Sequence, residues 1–166
     1  MNSYNWKQFT KRITIDAEPQ KIFNAWSSKQ GLQSWFLRLA EFKKPDGILR
    51  AKDEAVEKGD QYKWLWFGYS DAMVEEKEIL ATNGRDELEF SFSGGCIVRV
   101  TVKQEGGETI CELQQTMPMD GEAEQRYFFI ECGKGWTFYL TNLKSILEGG
   151  IDLRNKNEEI QNVINA

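Results

Sequence analysis

With 166 residues, of which 21 are basic and 26 acidic, the chain carries a formal net charge of −5 and reads as one domain large enough to bury a single core. The acidic balance argues against nucleic acid and anionic membrane surfaces as partners, since both demand a basic face. Histidine is absent, which removes His-activated nucleophiles, His acid–base chemistry and nearly every His-containing metal site, so no metal and no cofactor is expected.

The opening MNSYNWKQFTKR has no apolar stretch of the kind that starts a secretion signal, and no run approaches the length of a bilayer span. A soluble, cytoplasmic protein without membrane insertion is expected. Lys7 to Asp16 then alternates, with Phe9, Ile13 and Ile15 on one side and Thr10, Arg12 and Thr14 on the other, which predicts a strand. Pro19 suits a first helical turn, and Ile22, Phe23 and Trp26 fall at helical spacing. A second short helix follows from about Lys29 to Phe36, with Leu32, Trp35 and Phe36 as its apolar face.

Between Leu39 and Asp60 the pattern weakens into mixed charge. Short strands are expected at Leu39–Phe42 and Ile48–Ala51, and the segment from Lys52 to Lys58 reads equally well as a mobile loop. Next, Tyr62, Trp64 and Trp66 share one face of a strand that is apolar on both sides near its end. Four further strands follow, bounded by Asn83-Gly84, Gly94-Gly95 and Gly106-Gly107 turns. Their inward positions are Leu88, Phe90 and Phe92, then Cys96, Val98, Val100 and Val102, then Cys111, Leu113 and Met117. An antiparallel meander with one wet and one dry face results, and the dry face needs a cover. Cys96, Cys111 and Cys132 share no CxxC spacing and suit free thiols.

The cover is the stretch from Asp120 to Gly150, which reads as one long helix. Phe129, Cys132, Trp136, Leu140, Leu143 and Leu147 recur in steps of three and four, Asp120 is the expected N-cap, and Gly149-Gly150 offers the stop. Gly133 and Gly135 interrupt it, at about 1 kcal/mol each relative to alanine. Either another backbone approaches there or the helix bends, or the missing side-chain volume belongs to a cavity. The polar run after Gly150 is expected to form a short terminal helix, a frayed tail or a partner contact, giving a domain over residues 1–150 and an extension over residues 151–166.

The order of strand, two short helices, meander and long final helix resembles the START, or SRPBCC, superfamily. Within it, ITIDAEPQKIFNAWSS, QGLQSWF and GKGWTFYLTNLKSILEGGIDLR are similar to the branch named after the activator of the heat-shock protein 90 ATPase. That family's "GW…L..L...LE" run is matched by Gly135, Trp136, Leu140, Leu143, Leu147 and Glu148, whereas Pro45-Asp46-Gly47 stands where many bacterial members carry Gly-Gly. The resemblance implies an α+β helix-grip fold, a curved antiparallel sheet of about six or seven strands wrapped around the C-terminal helix.

From this follow three expectations for function. The first is non-catalytic binding of a small apolar or amphipathic molecule between helix and sheet, in a cavity lined by Trp35, Tyr62, Trp64, Trp66, Phe90, Phe92, Gln115, Cys132 and Trp136. Tyr62, Gln115 or Arg99 would be polar handles, although alternation puts Arg99 opposite the valines; the competing reading is that these rings form a solid core. The second is a stress-response module that binds a chaperone or other protein partner. The third is an enzyme of cyclase or hydrolase type using Glu131, Tyr127 or Tyr139, for which a perturbed carboxylate or phenol in the pocket would be needed. A homodimer through a sheet edge is compatible with all three.

Overall fold

The computed structural model describes residues 4–165. Its architecture is α+β, a helix-grip fold. Seven strands, β1 (Gln8–Thr14), β2 (Leu39–Lys43), β3 (Gln61–Leu65), β4 (Glu75–Thr82), β5 (Glu87–Ser91), β6 (Ile97–Glu105) and β7 (Glu108–Thr116), form one curved antiparallel sheet in the order β1-β7-β6-β5-β4-β3-β2. Helices α1 (Pro19–Trp26) and α2 (Lys29–Trp35) follow the first strand, and α3 (Glu122–Leu147) closes the fold.

The strands form where alternation is clean. In the β6–β7 ladder Val98 pairs with Gln115, Val100 with Leu113 and Val102 with Cys111, and all six side chains are buried on the face that meets α3. Strand β4 alternates poorly and carries a register shift between Ile79 and Ala81, a bulge of the kind that lets a sheet bend. Ile48–Ala51 does not extend the sheet: Lys43 and Leu49 make a single bridge, and Ile48 and Leu49 are 60% and 59% exposed.

Arg50 explains what that segment does instead. Its guanidinium is buried against Asp60 and also donates to Glu54 at 2.8 Å and Glu57 at 3.2 Å. The hydrogen bonds to Asp60 hold the guanidinium in its charged form against the penalty of burial. With Val56 buried beside them, residues 52–58 are therefore pinned to the body by a charge cluster rather than left as a mobile loop.

Helix α3 begins one residue later than its sequence suggests. Gly121, not Asp120, is the N-cap, no side chain caps it, and Glu122 and Glu124 meet the positive end of the dipole. Its end is as expected: Gly149 sits at φ +83°, and the Gly150 N–H donates to the Ser145 carbonyl at 2.7 Å. Trp136, Tyr139, Leu140 and Leu143 are buried, while Phe129, Cys132 and Leu147 are only partly so. Beyond Gly150 no regular element forms, yet the chain is held. The Arg154 guanidinium, buried, donates to the carbonyls of Gln33, Ser34 and Leu37 at 3.0–3.2 Å, and Asn142 binds both Asp152 and the Leu153 N–H. These bonds satisfy carbonyls that the end of α2 leaves free.

Candidate functional site

Between the helix and the middle of the sheet the space is filled. Trp35 is fully buried, stacked on Phe36, with its indole N–H donating to the Ala25 carbonyl at 2.9 Å. Trp64 lies flat on Tyr62 with centroids 3.7 Å apart, and Phe90 meets Trp64 edge-on at 5.2 Å. The Trp64 indole N–H is buried without a partner among the described residues. Tyr62 donates its hydroxyl to the Ser91 carbonyl, and burial pushes its phenol strongly up. Gln115 is fully buried and accepts from the Trp136 indole at 2.8 Å. Trp35, Tyr62, Trp64, Phe90 and Gln115 are thus core in this fold, and Arg99 projects from the wet face, paired with Glu87 at 3.0 Å.

The open space lies to one side. A cleft of about 400 Å³ separates the N-terminal half of α3 from residues 66–75, which are the connection between β3 and β4 and the first residue of β4, and its floor is Phe92, Trp136 and Phe36. Of the residues expected to line a cavity, Trp66, Phe92, Cys132 and Trp136 come together here. So do Tyr127, Glu131 and Tyr139, the three considered for catalysis. Residues that sequence reasoning missed complete it: Tyr69, Met73 and Val74 from the connection, Glu75 at the start of β4, Ser93 after β5, and Phe128 from α3, together with Gly135, one of the two helix glycines considered for a cavity. A signal existed for both sets. Phe128, Cys132, Gly135, Trp136 and Tyr139 fall on one helical stripe, and Tyr69, Met73 and Val74 are apolar residues in a turn region, where they end up 46%, 60% and 36% exposed.

Two glycines shape the cleft. Gly94, at φ +65°, leaves space that the Phe128 ring occupies, since a Cβ there would stand 2.1 Å from it. Gly135 lines the cleft itself, with no atom within 4 Å of where its Cβ would be. Gly133 is different: it is buried and looks toward the Lys11 side chain at 3.9 Å. The gap in side-chain volume suggested by the glycine pair therefore belongs to Gly135 alone.

The connection that forms the outer wall is fastened from both ends. Arg38 pairs with Asp71, and the Asn165 amide crowds Gly68 while Arg154 and Lys156 lie over the Phe67 ring at 5.4 Å. Inside, Glu75 accepts from the Ser93 hydroxyl. Burial pushes the Cys132 thiol up, the carboxylates of Glu75 and Glu131 push it further, and a hydrogen bond with Gln115 opposes them. Burial likewise raises the Tyr139 phenol, so it is a neutral hydrogen-bond donor at ordinary pH. Cys96, close by, is pushed up to about 12 by burial. These groups can hold a polar end of a ligand by accepting at Glu75 or donating at Tyr139. Among the described residues no group of three or more His, Cys, Asp or Glu is placed to hold a metal ion, and no helix is long and apolar enough to cross a membrane.

Known structures share this architecture. A protein of Staphylococcus saprophyticus superposes with a TM-score of 0.66 at 14% identity, over 89% of this chain and 96% of that one. The Aha1 dimer from Colwellia psychrerythraea, solved in solution, gives 0.62 at 18% identity over 86% and 97%. DynU16, a protein in the dynemicin biosynthetic locus, gives 0.67 at 19% identity, over 90% of this chain and 50% of that one. At these identities the likeness speaks for the fold, and among curated proteins none matches the sequence. The family model described as activator of Hsp90 ATPase homolog 1-like protein matches residues 16–148, from just after β1 to just past the end of α3, and the chain belongs to that family.

Proposed function

We propose that the protein binds a small apolar or amphipathic molecule in the cleft between α3 and residues 66–75, without chemical turnover. The observation that carries this reading is the cleft itself: about 400 Å³, within the range of small-molecule sites, walled by aromatic rings and bearing few polar groups. Its exposed lip of Tyr69, Met73 and Tyr127 is apolar surface that a bound molecule would cover. Non-catalytic binding is favoured because Cys132, the one thiol in the wall, is raised rather than lowered in pKa, and the chain has no histidine to activate it or the Ser93 hydroxyl.

Native mass spectrometry of the purified protein, compared with its denatured mass, tests the reading. A recurrent adduct of a few hundred daltons that vanishes on unfolding and slows maleimide modification of Cys132 is the expected result. An adduct-free mass, unchanged by pools of apolar compounds and with Cys132 unprotected, refutes it.

A second reading is an interaction module. The family description and the dimeric Colwellia psychrerythraea neighbour support it, as does the outer edge of β1, which pairs with no other strand among the described residues. Sedimentation of the protein alone and with a heat-shock protein 90 chaperone tests it: monomer in both runs, with no co-migration, would exclude both the homodimer and the chaperone contact.

A further inference from the structure

The following inference rests on the ligand-site reading above and concerns the class of ligand. Half of the wall of the cleft, eight of its sixteen residues, is aromatic. Its charged residues are Glu75 and Glu131, and among the described residues no Lys or Arg belongs to the wall. That one-sidedness is particular to this cleft. The groove across β2, β3 and β4 sets Lys43, Lys63 and Lys77 among Glu41, Glu76 and Glu78, so its charges balance.

Glu75 is the more telling of the two acids. It is partly buried and bonded to the Ser93 hydroxyl, and it takes part in none of the ion pairs among the described residues. Glu131 is nearer solvent and is shared with Lys134 at 2.8 Å. Both carboxylates reach the cleft electrostatically, since both help raise the Cys132 thiol. Aromatic faces present negative potential, and a carboxylate in a low-dielectric wall adds to it, so a positive charge gains from both while a negative one is repelled by both.

We propose that the cleft selects an organic cation, an aromatic or alkyl ammonium whose apolar body lies on Phe92, Trp66 and Trp136 and whose charge faces Glu75. A neutral molecule of the same shape keeps the ring contacts and loses the charge term. An anionic one meets two carboxylates.

Three probes with one apolar body separate the possibilities: naphthylmethyl-trimethylammonium, naphthalenemethanol and naphthalenesulfonate, each titrated against the full chain by calorimetry. The ammonium is expected to bind about tenfold tighter than the alcohol, with the sulfonate weakest. In Glu75→Gln the ammonium should fall to within about threefold of the alcohol while the alcohol is unaffected, and Glu131→Gln should give a smaller drop, as suits a solvated, shared charge. Thermal unfolding of each variant checks that it is folded. Equal affinity for all three probes, a preference for the sulfonate, or an ammonium preference untouched in both variants overturns the charge selection and leaves the ligand site standing. If none of the probes binds, the ligand-site reading falls and the inference falls with it.

Discussion

Gly135→Leu is the substitution that separates a cleft from a packing defect. Glycine inside a helix costs about 1 kcal/mol relative to alanine and leucine is nearly as good a helix former as alanine, so the change should stabilise α3 by about 0.7 kcal/mol. Beyond its own stretch of helix, no atom lies within 4 Å of the Cβ position, so the branch point of the side chain starts in open space. For a domain of this size that is a rise in Tm of about 2 °C. In the same substitution the leucine side chain occupies the floor of the cleft beside Trp136. Displacing about 60 Å² of ligand contact, at about 25 cal/mol per Å², removes about 1.5 kcal/mol of binding, or a little over tenfold in Kd. Gly133→Ala is the control: its Cβ makes an ordinary contact with Lys11 at 3.9 Å, away from the cleft, so it should raise Tm to a similar degree and leave binding alone. Circular dichroism melting and titration with a fluorescent naphthalene probe measure both quantities. A Gly135→Leu protein that melts several degrees lower would show that the space is needed for packing. One that is stabilised and binds the probe as before would show that the ligand sits elsewhere.

Asp60→Asn should cost about 3–5 kcal/mol in urea unfolding, because the buried Arg50 guanidinium loses the carboxylate that holds it, and a loss under 1 kcal/mol would mean Glu54 and Glu57 suffice. Gln115→Leu leaves the buried Trp136 indole N–H without its acceptor and should cost about 1–3 kcal/mol; in that background Trp136→Phe should cost less than it does alone, and strict additivity would deny the coupling. Asp152 gives the pH dependence. Burial raises its pKa, but hydrogen bonds from Arg154 and Lys156 outweigh that and hold its carboxyl well below the ordinary 3.8. A carboxyl depressed in the folded state contributes stability that is complete above about pH 4 and is lost as pH falls toward its folded value. Asp152→Asn should therefore be less stable at neutral pH and lose less on acidification below about pH 4, and parallel acid-unfolding curves for the two proteins would refute this.

Much of the fold could be read from the chain because its local signals agree with the tertiary result. The clean alternation of Cys96 to Val102, and the three-and-four spacing from Trp136 to Leu143, name a buried face whatever they pack against, since side-chain period is a property of the backbone. The misreadings fall where local signals are weak. Ile48 and Leu49 look strand-like, but the chain there is committed to seating Arg50 against Asp60, a pairing made across ten residues that no periodicity reveals. The polar tail gave no sign that Arg154 would close the end of α2, more than a hundred residues earlier.

By itself the sequence determined the family, the element order, the aromatic wealth of the site and the presence of a gap in the long helix. Only the tertiary structure decided which rings are core and which are wall. Trp64 and Trp66 fall on one face of the alternating stretch, yet Trp64 is sealed among Phe36, Tyr62 and Phe90 while Trp66, past the end of β3, borders open space. Gly133 and Gly135 stand two residues apart, which on a helix of 3.6 residues per turn points them roughly 200° from one another, so only the rotation of α3 against the sheet could assign one to β1 and the other to the cleft. That rotation is set by what the whole helix buries, and it is the sum of contacts from Phe9 to Leu143 rather than any local preference that fixes it.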